Sequence, residues 1–129
     1  MQIMRYLVIS AGLMMLSATC MADFVVRFEQ GKAWNADRTR LMYTESHWTA
    51  SENNILKNRT VVYRCADGTA FARKEINYSR SALAPEFSFN DARLNYQEGL
   101  RWQKEQPELW FVRNAQRQQK LLNNSSKLV

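Results

Sequence analysis

Glycine, proline, cysteine and histidine are all scarce in these 129 residues, at four, two, two and one. So few glycines and prolines exclude collagen-like and low-complexity linker compositions. One histidine and two cysteines exclude the paired-Cys and Cys/His spacings of zinc centres, and neither a Gly-rich phosphate loop nor a nucleophile elbow is present. No metal and no cofactor is therefore expected. Long apolar runs are missing too: the longest, at the N-terminus, is shorter than the about 20 residues that cross a bilayer.

That N-terminal run has a different character. Arg5 gives a positive start, Tyr6 to Leu16 is apolar, and Ser17-Ala18-Thr19-Cys20-Met21-Ala22 is a small-residue exit. These are the three parts of a secretory signal peptide. Cleavage after Ala22 removes residues 1–22 and starts the mature chain at Asp23, which predicts a periplasmic protein with no retained transmembrane span. Acylation at Cys20 competes with cleavage. Lipoprotein signals, however, place Leu three residues before the cysteine and a small residue directly before it, where this chain has Ser17 and Thr19, with Leu16 one place too early. Soluble export is the expectation.

Removing 22 of 129 residues leaves 107, one small domain. Of the 18 Lys and Arg only Arg5 is lost, so 17 cations face 12 acids and the mature charge is +5. No five like charges run together, so the basic balance reads as a solvated surface, and nucleic acid is not an expected partner of an exported chain. Cys65 is the one cysteine left. It cannot form an internal disulfide, and its apolar surroundings predict a buried, inert thiol. Four N-x-Ser/Thr triplets, beginning at Asn58, Asn77, Asn123 and Asn124, read as coincidences of composition.

Period-2 patterning dominates the mature chain. Phe24 to Glu29 reads as a strand stopped by Gln30-Gly31, and Leu41 to Thr49 alternates Leu41, Tyr43, Glu45 and His47 against Met42, Thr44, Ser46 and Trp48. Ser51 to Asn54 breaks the pattern before Thr60–Ala66 and Thr69–Tyr78 resume it. Between those two runs, Asp67-Gly68 predicts a two-residue hairpin turn with both residues at positive φ. Its register sets Val61 opposite Lys74, Tyr63 opposite Ala72 and Cys65 opposite Ala70 on the apolar face. On the other face Thr60 meets Glu75, Val62 meets Arg73, and Arg64 lies over Phe71. Pro85 makes residues 79–85 a connector. Asn90 or Asp91 is placed to cap a short helix over Ala92–Glu98 with Gly99 as its stop, Leu109–Val112 reads as another strand, and the Gln- and Asn-rich end reads as a mobile tail. The expected fold is mainly β: an antiparallel meander or curved sheet over residues 23–113, with a short helix and a polar flexible tail over 114–129.

Over residues 41–101, Tyr63-Arg64-Cys65-Ala66-Asp67-Gly68-Thr69-Ala70-Phe71-Ala72-Arg73-Lys74, Ala84-Pro85-Glu86-Phe87 and Asn95-Tyr96-Gln97-Glu98-Gly99 resemble a family of uncharacterised exported proteobacterial proteins. The resemblance implies export and a β-rich fold. Members of that family continue into further β sequence, which implies that this chain is a natural short form or a truncated reading frame. It implies no residue roles.

For chemistry, Tyr43, Glu45 and His47 share one strand face, and Glu45 with His47 is the pair that would support hydrolase-like proton transfer in a cleft. The same alternation is also the ordinary half-exposed face of a strand, so no catalytic residue is assigned. The abundant aromatics fill a small core without disulfides. Alternatively, the concave side of a curved sheet, rimmed by Arg and Lys, holds an apolar ligand with an anionic head. Trp34 and Trp48, then Phe71 and Tyr78, are the candidates for that lining. The expected function is a non-catalytic binding or interaction module for an amphipathic or lipid-like ligand or another envelope component.

Overall fold

The computed structural model describes residues 23–122. The leader with Cys20, and the end of the chain with Asn123 and Asn124, lie outside the described residues. Eight strands follow one another: β1 Phe24–Trp34, β2 Leu41–Glu52, β3 Ile55–Cys65, β4 Ala70–Asn77, β5 Glu86–Asp91, β6 Tyr96–Gln103, β7 Gln106–Arg113 and β8 Gln116–Leu121. Every neighbouring pair is antiparallel, and strand order in the sheet equals order in the chain. The result is the expected β meander, an open sheet with β1 and β8 as its two edges. Close backbone contacts join each strand only to its neighbours in sequence.

Turn chemistry explains the spacing. Asn53-Asn54 and Asn114-Ala115 both sit at positive φ (51° and 62°, 49° and 61°) between directly paired strands, the type I′ geometry whose twist matches that of the strands. Asn35 organises the β1–β2 connection, where its side-chain oxygen accepts from the amides of Thr39 and Arg40, each at 2.9 Å. At Asp67-Gly68 only Gly68 has positive φ, at 91°. Cys65 accepts from the Gly68 amide and donates to Thr69, giving a three-residue loop over Ala66–Gly68. A bulge at Phe71 then restores the expected register from Tyr63↔Ala72 to Thr60↔Glu75, while Arg64 pairs with Ala70 and not with Phe71.

Three other expectations change. β1 runs past Gln30-Gly31 to Trp34, because a continuous ladder with β2 outweighs the about 0.5–1 kcal/mol that a glycine costs a strand. The short helix over Ala92–Glu98 is absent, and no helix occurs among the described residues. Asp91 does cap, but it caps a tight turn, accepting from the Arg93 amide at 2.9 Å with Asn95 at φ 47°, and Tyr96 begins β6. Two turns of isolated helix cannot compete with pairing to strands on both sides. Finally, Gln116–Leu121 of the expected tail forms β8, whose backbone pairs with β7 although its side chains are exposed and, Leu121 apart, polar.

The single sheet has, among the described residues, no second layer to pack against. Among the described residues the buried hydrophobic side chains are Ala50, Val61 and Ala72, and the largest fully buried side chain is Pro107. Phe24, Val26, Phe28, Trp48, Leu109 and Phe111 remain exposed. Domains ordinarily stack two layers around one core, so this architecture leaves apolar surface for something else to cover.

Candidate functional site

Pairing assigns each side chain to a face, because directly opposite residues point the same way. One face carries Tyr43, Glu45 and His47 from β2, Val61 and Tyr63 from β3, Ala72 and Ile76 from β4, Phe87 and Phe89 from β5, and Leu100 and Phe111 from β6 and β7. We call it the aromatic face. The other is apolar near β1 and β2, with Val26, Phe28 and Trp48, and beyond them is polar through Asn58, Thr60, Glu75, Ser88 and Arg101, interrupted by Val62, Trp110 and Val112.

The aromatic face is centred on a cluster of four rings. Tyr63 packs against Tyr43 (6.3 Å between centroids), Phe71 (6.2 Å) and Phe89 (5.8 Å), and Tyr43 meets Phe71 edge-on at 6.2 Å. The bulge builds this cluster: without its extra residue, Phe71 would alternate to the polar face. Cations lie over the rings. The guanidinium carbon of Arg93 is 3.4 Å from the centroid of Phe71, Lys74 is 4.7 Å above Phe87, and Arg113 is 5.4 Å from Tyr96. Arg93 is held in place by Asp91, through Nη2 to Oδ2 at 3.1 Å. That guanidinium contact, with the Arg93 amide, holds the Asp91 carboxyl below the usual carboxylate range.

Glu45 and His47 do meet: His47 Nε2 lies 2.9 Å from Glu45 Oε2, both half-buried on the aromatic face. Burial, and then the nearby Glu45 carboxylate, push the Tyr63 phenol above its ordinary value, so it stays protonated at neutral pH. Among the described residues no three His, Cys, Asp or Glu side chains gather as a metal site. Cys65 is a free, half-buried thiol.

The polar face is troughed. A cavity of about 640 Å³ crosses β3 to β8, bordered by Asn58, Glu75, Ser88, Arg101, Trp110 and Arg117. Trp110 lies flat against Gly99, where a Cβ would meet the Phe87 carbonyl oxygen and sit 2.6 Å from the indole, and Arg117 covers the ring at 4.9 Å.

The four residues expected to share one lining do not come together. Trp48 pairs with Phe28 at 5.3 Å on the polar face, whereas Phe71 belongs to the cluster on the opposite side. Trp34 ends β1 beside a small hollow with Asn35 and Arg38, and Tyr78 opens the β4–β5 loop with its amide on the Lys57 carbonyl. The cation over Phe71 is Arg93, not the expected Arg64, which instead donates to the Gly68 carbonyl at 3.4 Å. Sequence reasoning missed Tyr63, Phe89 and Arg93 as companions of Phe71. The expected register already put Tyr63 on the face of Ala72, but the bulge that turns Phe71 onto that face leaves no sequence signal. No family model, curated protein or solved structure matches this chain.

Proposed function

We propose that this protein is a non-catalytic interaction module of the cell envelope, delivered there by the leader over residues 1–22, and that its aromatic face takes an amphipathic anionic ligand. The supporting observation is the Tyr43–Tyr63–Phe71–Phe89 cluster overlaid by Arg93 and bordered by Lys74 and Arg113. Half-buried rings favour an apolar chain, and cations held at ring height favour an anionic head group beside it. Among the described residues Lys74 and Arg113 form no salt bridge, so their charge is available to a ligand.

Vesicle co-sedimentation tests this reading. Vesicles containing phosphatidylglycerol should retain the protein in low salt and phosphatidylcholine vesicles should not, with Lys74→Glu/Arg113→Glu weakening retention at least 10-fold. Failure to bind either composition, or binding indifferent to both substitutions, removes the proposal. A second reading, proton transfer by Glu45 and His47, is favoured by their 2.9 Å contact. It requires that His47→Ala abolish hydrolysis of an activated ester by the purified protein, whereas the binding reading requires that His47→Ala leave vesicle retention unchanged.

A further inference from the structure

The two edges of the sheet are unlike. β8 is six residues long, exposed, polar and basic, and so is protected against adding strands. β1 is eleven residues long, contains no proline, and is regular from Phe24 to a bulge at Ala33/Trp34. Asn53 donates to the Asp23 carbonyl, which fixes the ladder phase. Residues 25, 27, 29 and 31 direct their backbone groups at β2, while Phe24, Val26, Phe28, Gln30 and Lys32 direct theirs outward. Among the described residues nothing pairs with that outward row. Phe24, Val26 and Phe28 are also more than half exposed.

We propose that β1 is a dimerisation edge, pairing antiparallel with β1 of a second copy about a two-fold axis at Phe28. In that register Phe28 meets Phe28 of the second copy, Val26 meets Gln30 and Phe24 meets Lys32, so every outward-facing backbone group of the regular segment is paired. The intervening residues form the closer, non-hydrogen-bonded pairs, and there Arg27 stands opposite the second copy's Glu29 on the aromatic face, with the reciprocal pair generated by symmetry. Charge favours this register over the two beside it. Moving the axis to Arg27 or Glu29 keeps the hydrogen-bond phase but sets like charges against each other. On the polar face, the Phe28–Trp48 pairs of the two copies become continuous, covering apolar surface that each copy leaves open. A charged edge strand ordinarily resists association; here the order of the two charges resists strangers and admits a second copy.

Sedimentation velocity on the purified full chain should show a concentration-dependent monomer–dimer equilibrium. Arg27→Glu and Glu29→Arg each place like charges opposite one another twice, and each should raise the dissociation constant about 10-fold or more while leaving the circular dichroism spectrum unchanged. An equimolar mixture of the two variants should form a heterodimer, because each repulsive pair then becomes attractive. A wild-type chain that stays monomeric up to millimolar concentration overturns the proposal. So does a dimer that both single variants form as well as the wild type, or a mixture that fails to associate. Vesicle retention is read separately, on the other cations, so loss of one result leaves the other standing.

Discussion

At the residue scale, Gly99 and Asp91 show how side-chain detail fixes this sheet. Trp110 occupies the space over Gly99, so Gly99→Ala forces the indole and the Phe87 carbonyl apart. Overpacking of this kind costs about 1–3 kcal/mol, readable as a lowered midpoint in urea unfolding, and Trp110→Ala in the same background should relieve part of it. Asp91 is buried and its carboxyl is depressed by Arg93. A depressed carboxyl contributes stability above its unfolded value, about 3.9, and that contribution is lost as pH falls through the folded value. Asp91→Asn should therefore destabilise the protein at pH 7 by up to about 1.5–3 kcal/mol, the range for a hydrogen bond to a charged group, and the gap from wild type should close under acid. The sequence carried part of this information. Period 2 placed Glu45 and His47 side by side, and they touch. Arg93, two residues past Asp91 in a turn expected to be a helix, had no pattern of its own, because its partner ring, Phe71, lies 22 residues earlier in the chain.

At the element scale, local turn signals decided most of the topology and their small departures decided the site. Asn53-Asn54 and Asp67-Gly68 were readable as breaks, and the expected pairs from Thr60 to Tyr63 formed. The bulge at Phe71 was not readable, because one extra residue leaves composition and alternation almost untouched while moving a ring to the other face. β8 was missed for a similar reason: an edge strand exposed on every side chain has no apolar alternation to betray it. Its turn also carries a cost. Ala115 sits at φ 61°, a conformation unfavourable for a residue with a Cβ by about 1 kcal/mol. Ala115→Gly should strengthen the β7–β8 hairpin by roughly that amount, seen as slower hydrogen exchange of the β8 amides.

At the scale of the whole molecule, the lack of a second layer among the described residues governs behaviour. Exposed apolar side chains at β1, β2 and β7 should bind an environment-sensitive dye such as ANS in the folded state, and signal that falls on vesicle addition would report coverage of that surface. The strictly sequential strand order has a mechanical consequence. Because backbone contacts among the described residues join only adjacent strands, and only the ring cluster reaches across from β2 to β4 and from β3 to β5, tension applied at the two ends meets little distant clamping. An optical trap holding residues 23 and 122 should record a staircase of small rips, shed hairpin by hairpin from the margins inward, in place of the single large event of a protein built around a shared interior.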